Sequence, residues 1–441
     1  MTNISGKIFN FLILLLVLLL IFIFVRGIYL DFSIAYFTSK QISILIIIIL
    51  LIYLIYGKIQ KNENFLIVFI SIAISFFVIE LFLTLSSVRD NKPIYKQKSK
   101  FDIYNYYKEK EQNFIPTFSL MRLFNKKFVV DGSRKVILSM PSNTNMIHCL
   151  RDKKWLFFKT DRYGFNNNDS NWENYDTVMI GDSFGIGECV NYQDSLSGQL
   201  EKLKKINGII NLSQTGNGPL LKLAILQEYG EFKKIKNLIW FYFEGNDLLE
   251  LNDELKNKYL FEYIKNDNYK QNLVNYQSNI NQFIFNFINK FEKEKSSESN
   301  VELGIKENHL KKYINFFTLS KLRSVIELKH YNIEIIANKN KDFEKIILNI
   351  NKKLNINNGK FYFVYLPTLR DVYSEKKRKK YEASRINIED FLIKNNIQMI
   401  DIYSELYLKI DNPYKLFDKK NGHYTIWGYK KIANIINNQI L

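Results

Sequence analysis

A serine follows an apolar run near the middle of the chain, in the stretch 176–190, which reads Asp-Thr-Val-Met-Ile-Gly-Asp-Ser-Phe-Gly-Ile-Gly-Glu-Cys-Val. The apolar residues 178–180 predict a short buried parallel strand that stops at Gly181. Ser183 then lies just beyond the carboxyl end of that strand, where open α/β sheets form their crevices. This placement suits a serine nucleophile, and an ordinary turn between a strand and a helix is the alternative.

Three other residues are expected at the same edge of the sheet. Gly216 and Asn246 each follow a later predicted strand, and His423 precedes the helix predicted to close the chain. Of the four histidines, His423 is the one placed to accept a proton from Ser183. The backbone N–H groups of Ser183 and Gly216 and the side-chain amide of Asn246 would then stabilise a tetrahedral oxyanion. The pattern therefore predicts acyl transfer through a serine.

Each of these residues also has a purely structural interpretation. Gly216 is typical of a turn, Asn246 of a helix N-cap, and His423 of a capping or surface position. Asp182 is expected to brace the turn rather than to react. The joint placement of these residues, in this order at one sheet edge, favours the functional interpretation.

Strands and helices alternate along the second half of the chain. Strands are predicted at 178–180, 208–211, 237–243, 360–366 and 397–402, and helices at 192–206, 220–228 and 428–440. The alternation predicts a three-layer α/β sandwich with a parallel five-stranded sheet. A polar and helically periodic segment at about 248–359 is interpreted as a helical insertion placed to cover the crevice.

Three apolar runs at the amino end predict three transmembrane helices before the sandwich, at 9–25, 42–56 and 65–85. A signal peptide is a poor interpretation of the first run because no small-residue cleavage site follows it. We therefore expect a membrane domain, a tether leading into the next domain, and a catalytic domain, at 1–88, 89–145 and 146–441. A short hairpin is predicted around 128–140 within the tether.

The formal net charge of +18 comes from lysines that are spread over the whole chain. No basic stripe with interleaved aromatic residues occurs in the sequence, so nucleic acid is not expected as a partner. A charge of this sign favours encounters with anionic glycans or phospholipid head groups instead.

The chain has two cysteines, Cys149 and Cys189. Neither belongs to a Cys-x-x-Cys pair, and no His/Cys cluster has the spacing of metal ligands, so a zinc site and a redox motif are not expected. A disulfide between them would require an oxidising compartment, and two unrelated buried thiols are an equally good interpretation of the counts.

Four short motifs together resemble the SGNH/GDSL hydrolase superfamily. They are similar to its four sequence blocks in order, and lie at Gly181-Asp182-Ser183-Phe184, Gly216, Gly245-Asn246-Asp247 and His423. The resemblance covers roughly residues 161–441. The Asp-Arg-Tyr-Gly-Phe-Asn stretch that begins at Asp161, together with the paired cysteines, further resembles a membrane-tethered bacterial branch.

The resemblance implies a flavodoxin-like fold and a serine enzyme that cleaves or transfers acyl esters without a cofactor or metal. It also implies attachment to the bacterial inner membrane, a periplasmic or extracellular catalytic domain, and a disulfide between Cys149 and Cys189.

One departure from the family pattern concerns the third member of the triad. The last block usually reads Asp-x-x-His, and Lys420 occupies the position of that acid in this chain. Asp418 is the nearest carboxylate before His423. Either Asp418 completes the triad, or a backbone carbonyl orients the imidazole.

The function predicted from the sequence is that of a membrane-anchored serine esterase or O-acyltransferase. Its substrate would be an acylated glycan or lipid of the cell envelope, and its partner would be a further envelope-biosynthesis protein. The alternative is a weakly active or inactive SGNH-like envelope protein that binds glycan or a partner, which the replacement of the acid by Lys420 favours.

Overall fold

The computed structural model describes residues 75–82, 100–124, 126–203, 208–300, 341–373, 375–418 and 421–440, without the side chains of residues 291–300 and 376. The chain divides into two compact units, residues 1–97 with 294–332 and residues 98–293 with 333–441. The second unit contains every residue predicted for the site.

The second unit begins with a small mixed sheet and a hairpin. Its first elements are α1 (Lys100–Glu109), β1 (Phe114–Pro116), β2 (Phe128–Val130), β3 (Ser133–Lys135), β4 (Asn145–Arg151) and β5 (Lys154–Lys159). Strand β4 pairs in parallel with β1 and antiparallel with β5, while β2 and β3 form a hairpin in the place where one is predicted.

The main sheet has five parallel strands, as the sequence predicts. They are β6 (Thr177–Ile180), β7 (Ile209–Asn211), β8 (Asn237–Phe243), β9 (Lys360–Leu366) and β10 (Gln398–Asp401). Their order across the sheet is β10-β9-β8-β6-β7, and each neighbouring pair is parallel. Strand β6 therefore lies between β7 and β8, and the turns that follow these three strands emerge side by side.

Helices cover both faces of this sheet. Among the described residues, the helices that follow α1 in the chain are α2 (Ser183–Ile186), α3 (Leu196–Lys202), α4 (Pro219–Tyr229), α5 (Asp247–Glu254), α6 (Lys258–Lys265), α7 (Gln277–Asn300), α8 (Lys341–Ile356), α9 (Glu375–Lys394), α10 (Ile402–Glu405) and α11 (Ile426–Gln439).

Strand β8 shows how the two faces are built. Leu238, Trp240 and Tyr242 pack into one hydrophobic core, which also takes in the buried faces of α4 and α8. Ile239 and Phe241, which alternate with them, pack into a second core with α3 and α11. Because successive side chains of a strand point to opposite faces, a strand that is apolar at every position is buried on both sides. The result is a three-layer sandwich.

The predicted insertion at about 248–359 supplies several of the helices. Its last helix, α8, packs against β9 and α4 and so covers the sheet, with buried apolar residues three and four positions apart. Helix α7 instead contacts the elements that precede the main sheet. The ring centroids of Phe283 and Phe128 lie 5.2 Å apart, and those of Phe287 and Phe118 lie 5.7 Å apart. Residues 301–340 of the insertion lie outside the described residues.

The prediction of three transmembrane helices is corrected. Among the residues that the structure describes, no helix is both long and apolar enough to cross a membrane. The first two predicted spans, at 9–25 and 42–56, lie outside the described residues. Within the third, only residues 75–82 are described, and they are helical.

Candidate active site

The turn after β6 presents Ser183 at the end of the sheet. Asp182 caps the short helix α2, since its side chain accepts a hydrogen bond of 2.9 Å from the backbone N–H of Phe184. This is the bracing position expected for Asp182. The turn must also be narrow, because a Cβ on Gly185 would lie 2.3 Å from the Ser213 hydroxyl oxygen. Ser183 itself is only 8% exposed, so its hydroxyl lies in a recess.

His423 hydrogen-bonds to Ser183. Its Nε2 lies 2.8 Å from the Ser183 Oγ, which is the contact that a general base needs in order to take the hydroxyl proton. The imidazole packs against the Phe184 ring at a centroid distance of 4.8 Å. Phe184 in turn stacks on Phe243 at 4.0 Å and meets Tyr424 edge-on at 4.7 Å. Aromatic packing therefore fixes the ring plane of the base.

The other nitrogen of the imidazole contacts the backbone. His423 Nδ1 lies 3.1 Å from the carbonyl oxygen of Asn421, which can accept a hydrogen bond from the Nδ1–H group. Asp418 meets the same loop through its main chain, because its N–H donates to the His423 carbonyl at 2.7 Å and its carbonyl accepts from the Gly422 N–H at 2.8 Å. Among the described residues, no hydrogen bond joins the Asp418 carboxylate to the imidazole. The geometry favours a base oriented by a backbone carbonyl.

Gly216 follows β7, the strand beside β6. Its φ of +75° is a conformation that glycine adopts at little cost, and a Cβ there would lie 2.3 Å from the Ser119 hydroxyl oxygen. The end of β7 is joined to α2, the helix that begins at Ser183, since the Asn211 side-chain amide donates to the Gly185 carbonyl at 2.9 Å. Both the positive φ and the close approach of Ser119 therefore favour glycine at this position, whereas an ordinary turn would need only the positive φ.

Asn246 follows β8, the strand on the other side of β6. It occupies the N-cap position of α5 but makes no capping hydrogen bond with its side chain. Its Nδ2 instead donates to Glu250 Oε1 at 2.9 Å. This contact uses one of the two N–H groups of the amide and leaves a second one that can donate to an oxyanion.

A buried cluster of ionisable residues lies beside this amide. Lys222 is fully buried and donates to Asp247 Oδ2 at 2.5 Å and to the Phe241 carbonyl at 2.9 Å. Burial raises the pKa of Asp247 to about 8 and the pKa of Glu250 well above its usual range. The raised pKa values reflect the cost of placing negative charge in this buried cluster, and the Lys222 ammonium offsets part of that cost.

Glu254 ties the Gly216 loop to α5. Its carboxylate accepts hydrogen bonds from the backbone N–H groups of Gly218, Leu220 and Leu221, at 2.6, 2.9 and 3.3 Å. These groups belong to the start of α4, where backbone N–H donors have no partners within the helix. Burial nevertheless raises the pKa of Glu254 to about 7.

Glu188 belongs to the loop that carries Ser183 and contacts the loop that carries Gly216. Its Oε2 is 3.2 Å from the Nε2 of the buried His148 and accepts a hydrogen bond of 3.1 Å from Thr215. Burial opposes the ionisation of Glu188, but His148 and Lys100 outweigh it and hold the pKa at about 2. His148 is thus a partner of an acid rather than a second base for the serine.

A disulfide joins Cys149 and Cys189 with their Cα atoms 5.5 Å apart. Each cysteine directly follows one member of the His148–Glu188 pair. The covalent bond and the His148–Glu188 contact therefore fix the same two segments, β4 and the loop that carries Ser183.

The Asp161–Asn166 stretch supports β7. Asp161 is buried and accepts hydrogen bonds from two backbone N–H groups, from Trp172 Nε1 at 2.8 Å and from Asn167 Nδ2 at 2.8 Å. Asn167 in turn accepts from the N–H of Asn211, the last residue of β7. Burial raises the pKa of Asp161, and the four donors act against that shift.

A further buried ion pair supports the loop that carries Asn246. Glu244, two residues earlier, accepts from Arg370 Nε at 3.0 Å and Nη2 at 2.7 Å, from the Thr368 N–H and from the Tyr365 hydroxyl. Arg370 also lies 3.6 Å from the centre of the Tyr403 ring. This network joins the ends of β8 and β9.

Sequence reasoning missed Lys222, Glu188 with His148, and Glu244 with Arg370. A signal exists for the first, because a lysine within the apolar run Leu-Leu-Lys-Leu-Ala-Ile-Leu of α4 needs a buried partner. The other two pairs join residues far apart in the chain and have no local signal. Among the described residues, no group of three or more His, Cys, Asp or Glu residues is arranged to hold a metal ion.

The chain is similar in fold to solved lipolytic hydrolases of the GDSL type. A protein assigned to the G-D-S-L lipolytic family of Desulfitobacterium hafniense DCB-2 is 14% identical, with a TM-score of 0.33, over 59% of this chain and 97% of that one. A lipase/acylhydrolase from Enterococcus faecalis is 11% identical, with a TM-score of 0.32, over 60% and 94%. A G-D-S-L family member from Veillonella parvula DSM 2008 is 12% identical, with a TM-score of 0.31, over 60% and 97%.

No protein-family model and no curated protein sequence matches the chain. The matches to solved structures are likenesses of fold over part of the chain.

Proposed function

We propose that the protein is a serine enzyme that cleaves or transfers acyl esters, with Ser183 as nucleophile and His423 as general base. The observation that carries this proposal is the 2.8 Å hydrogen bond between Ser183 Oγ and His423 Nε2 at the carboxyl end of the sheet. The bond favours an enzyme over an inactive binding protein, because a serine needs a base within hydrogen-bond reach to react.

In the first step Ser183 Oγ attacks the ester carbonyl carbon and His423 Nε2 takes the hydroxyl proton. The carbonyl oxygen becomes an oxyanion, which the N–H groups of Ser183 and Gly216 and the Asn246 amide stabilise. When the C–O bond to the alcohol breaks, His423 gives its proton to the departing alcohol oxygen. The acyl group is then bound to Ser183.

The second step repeats the first with a different nucleophile. Water or a sugar hydroxyl loses its proton to His423 and attacks the acyl-enzyme, and the proton returns to Ser183 when the serine ester breaks. Hydrolysis and O-acyl transfer share every group on the protein and differ only in the acceptor. We propose acyl esters of cell-envelope glycan or lipid as the substrate class, which the net charge of +18 supports through attraction to anionic envelope polymers.

We also propose that the catalytic domain works in an oxidising space outside the cytoplasm. The bond between Cys149 and Cys189 supports this placement, since disulfides persist in such compartments and are rare in the reducing cytosol.

Hydrolysis of p-nitrophenyl acetate by the purified full chain tests the proposed chemistry. We expect turnover that Ser183→Ala abolishes and that Ser170→Ala preserves, because Ser170 is exposed and lies outside the site. Each variant is checked for native thermal unfolding. Equal turnover by the Ser183→Ala variant would refute the proposed nucleophile.

A further inference from the structure

A cavity of about 530 Å³ lies apart from the residues proposed for acyl transfer. Its walls come from β5, from the turn at residues 166–168 and from residues 191–193. The last wall begins two residues after Cys189, which the disulfide fixes to β4. The disulfide therefore joins this wall to β4, which pairs with β5 of the first wall.

Five of the lining residues carry side-chain amides, Asn166, Asn167, Asn168, Asn191 and Gln193. Within the part of the chain that the structure describes, the amides of all of them except Asn167 form no hydrogen bond. Asn166 is only 6% exposed as a residue, but its amide atoms keep some access to the cavity. The amide of Asn167, by contrast, is bonded to Asp161 and to the Asn211 carbonyl. The amide of Asn166 is thus available to a ligand.

Aromatic rings stand beside these amides. Tyr192 is half-buried, and its hydroxyl donates to Glu201 Oε1 at 2.7 Å, which holds its ring in the wall of the cavity. Phe158 is fixed by an edge-on contact of 5.2 Å with the ring of His148. Rings fixed in this way offer an apolar face without a further loss of side-chain entropy.

We propose that this cavity binds a pyranose unit of an oligosaccharide. The C–H face of a pyranose packs on an aromatic ring, while its hydroxyl groups both donate and accept hydrogen bonds. Asparagine and glutamine amides match such hydroxyls because each carries an acceptor oxygen and two donor hydrogens. The inference goes beyond the proposed reaction, since this binding needs neither Ser183 nor His423.

Isothermal titration of the full chain with N,N′,N″-triacetylchitotriose, cellotriose and maltotriose tests the proposal. We expect at least one of these sugars to bind, and Asn166→Ala and Tyr192→Ala to weaken its binding by about tenfold or more. Tyr192→Phe keeps the ring and should keep most of the affinity. Asn275→Ala and Tyr414→Ala change exposed residues outside the cavity and serve as matched controls.

The Ser183→Ala variant should bind the same sugar as tightly as the unmodified chain, which separates this inference from the proposed reaction. Absence of binding by all three sugars up to about 10 mM, with the protein folded, would overturn the proposal, because even a millimolar complex would be detected. Binding that Asn166→Ala and Tyr192→Ala leave unchanged would overturn it equally.

Discussion

At the scale of single residues, the reaction depends on how His423 is held. In this chain the Nδ1–H group can donate a hydrogen bond to the carbonyl oxygen of Asn421, 3.1 Å away, while Asp418 closes the loop through its backbone. A backbone carbonyl fixes the tautomer and the ring orientation as a carboxylate does. It carries no full negative charge, so it stabilises the imidazolium less strongly.

Asp418→Asn should therefore lower kcat/KM by less than about tenfold, since the main-chain contacts of residue 418 are retained. Loss of a triad acid would instead lower kcat by about 10⁴-fold. Steady-state hydrolysis of an acetyl ester by the two proteins distinguishes these cases. A loss of the larger size would show that the carboxylate is the third member of the triad.

Gly216→Ala should lower the activity sharply. The new Cβ would lie 2.3 Å from the Ser119 hydroxyl oxygen at a φ of +75°, so the loop must move and carry its N–H away from the oxyanion. Losing one oxyanion donor typically costs a factor of about 10²–10³ in kcat.

Gly132→Ala is a matched control for this change. Gly132 has a similar φ of +70°, but nothing lies within 4 Å of an added Cβ. The Gly132→Ala variant should lose some stability because of the positive φ, and it should keep the kcat of the unmodified chain. Equal kcat values for Gly216→Ala and the unmodified chain would contradict the proposed oxyanion hole.

At the scale of elements, the turns after β7, β6 and β8 are held in place by buried polar pairs. Glu254 joins α5 to the start of α4, and Glu188 joins the nucleophile loop to β4. Glu244 and Arg370 join the ends of β8 and β9. Each turn that carries a proposed site residue is thus fixed by a contact from another element.

Glu244→Gln should destabilise the fold by about 3–5 kcal/mol, because it leaves the Arg370 guanidinium buried without its main partner. Arg370 also binds Glu382, whose side chain is 37% exposed, so Glu382→Gln should cost about 1 kcal/mol or less. Urea unfolding of both variants measures the difference. Similar losses in the free energy of unfolding for the two variants would show that the Glu244–Arg370 pair stabilises the fold no more than the exposed Glu382 pair does.

The sequence predicted these elements unevenly. The bounds predicted for β8 and β9 agree with the structure, because central parallel strands are apolar on both faces and stand out as continuous runs. The helix predicted at 192–206 is wrong at its start, since Ser195 caps α3 with a hydrogen bond to the Gly198 N–H. Capping competes with the apolar periodicity that suggested a longer helix.

Of the site, the Ser183–His423 contact was predictable, since parallel strands place their ends together. The pairing of Glu244 with Arg370 and of Glu188 with His148 was not. Residues far apart in the chain become neighbours only through packing, and their types alone do not identify a partner. The contact of His423 Nδ1 with the Asn421 carbonyl depends on the conformation of one loop, so the sequence did not predict it either.

At the scale of the whole molecule, electrostatics couple the site to the folded state. The folded-state pKa of Glu188 is about 2, below the usual value of 4.5. A depressed carboxyl pKa contributes stability above the unfolded pKa, and this contribution disappears as the pH falls from 4.5 towards 2. The full contribution corresponds to about 3 kcal/mol.

Glu188→Gln should therefore be less stable than the unmodified chain at pH 7, and the difference should shrink as the pH falls from 5 to 3. Urea unfolding across this range, with the exposed Glu109→Gln as control, measures the effect. A difference that is constant with pH would show that the His148 pair contributes no charge-dependent stability.

The central claim is that Ser183 is an activated nucleophile, and labelling of the full chain by a fluorophosphonate tests it most directly. The account predicts a covalent label that peptide mapping places on Ser183, slower labelling of His423→Ala, and none in Ser183→Ala. A folded chain whose Ser183 does not label, or that labels at another serine, would contradict it.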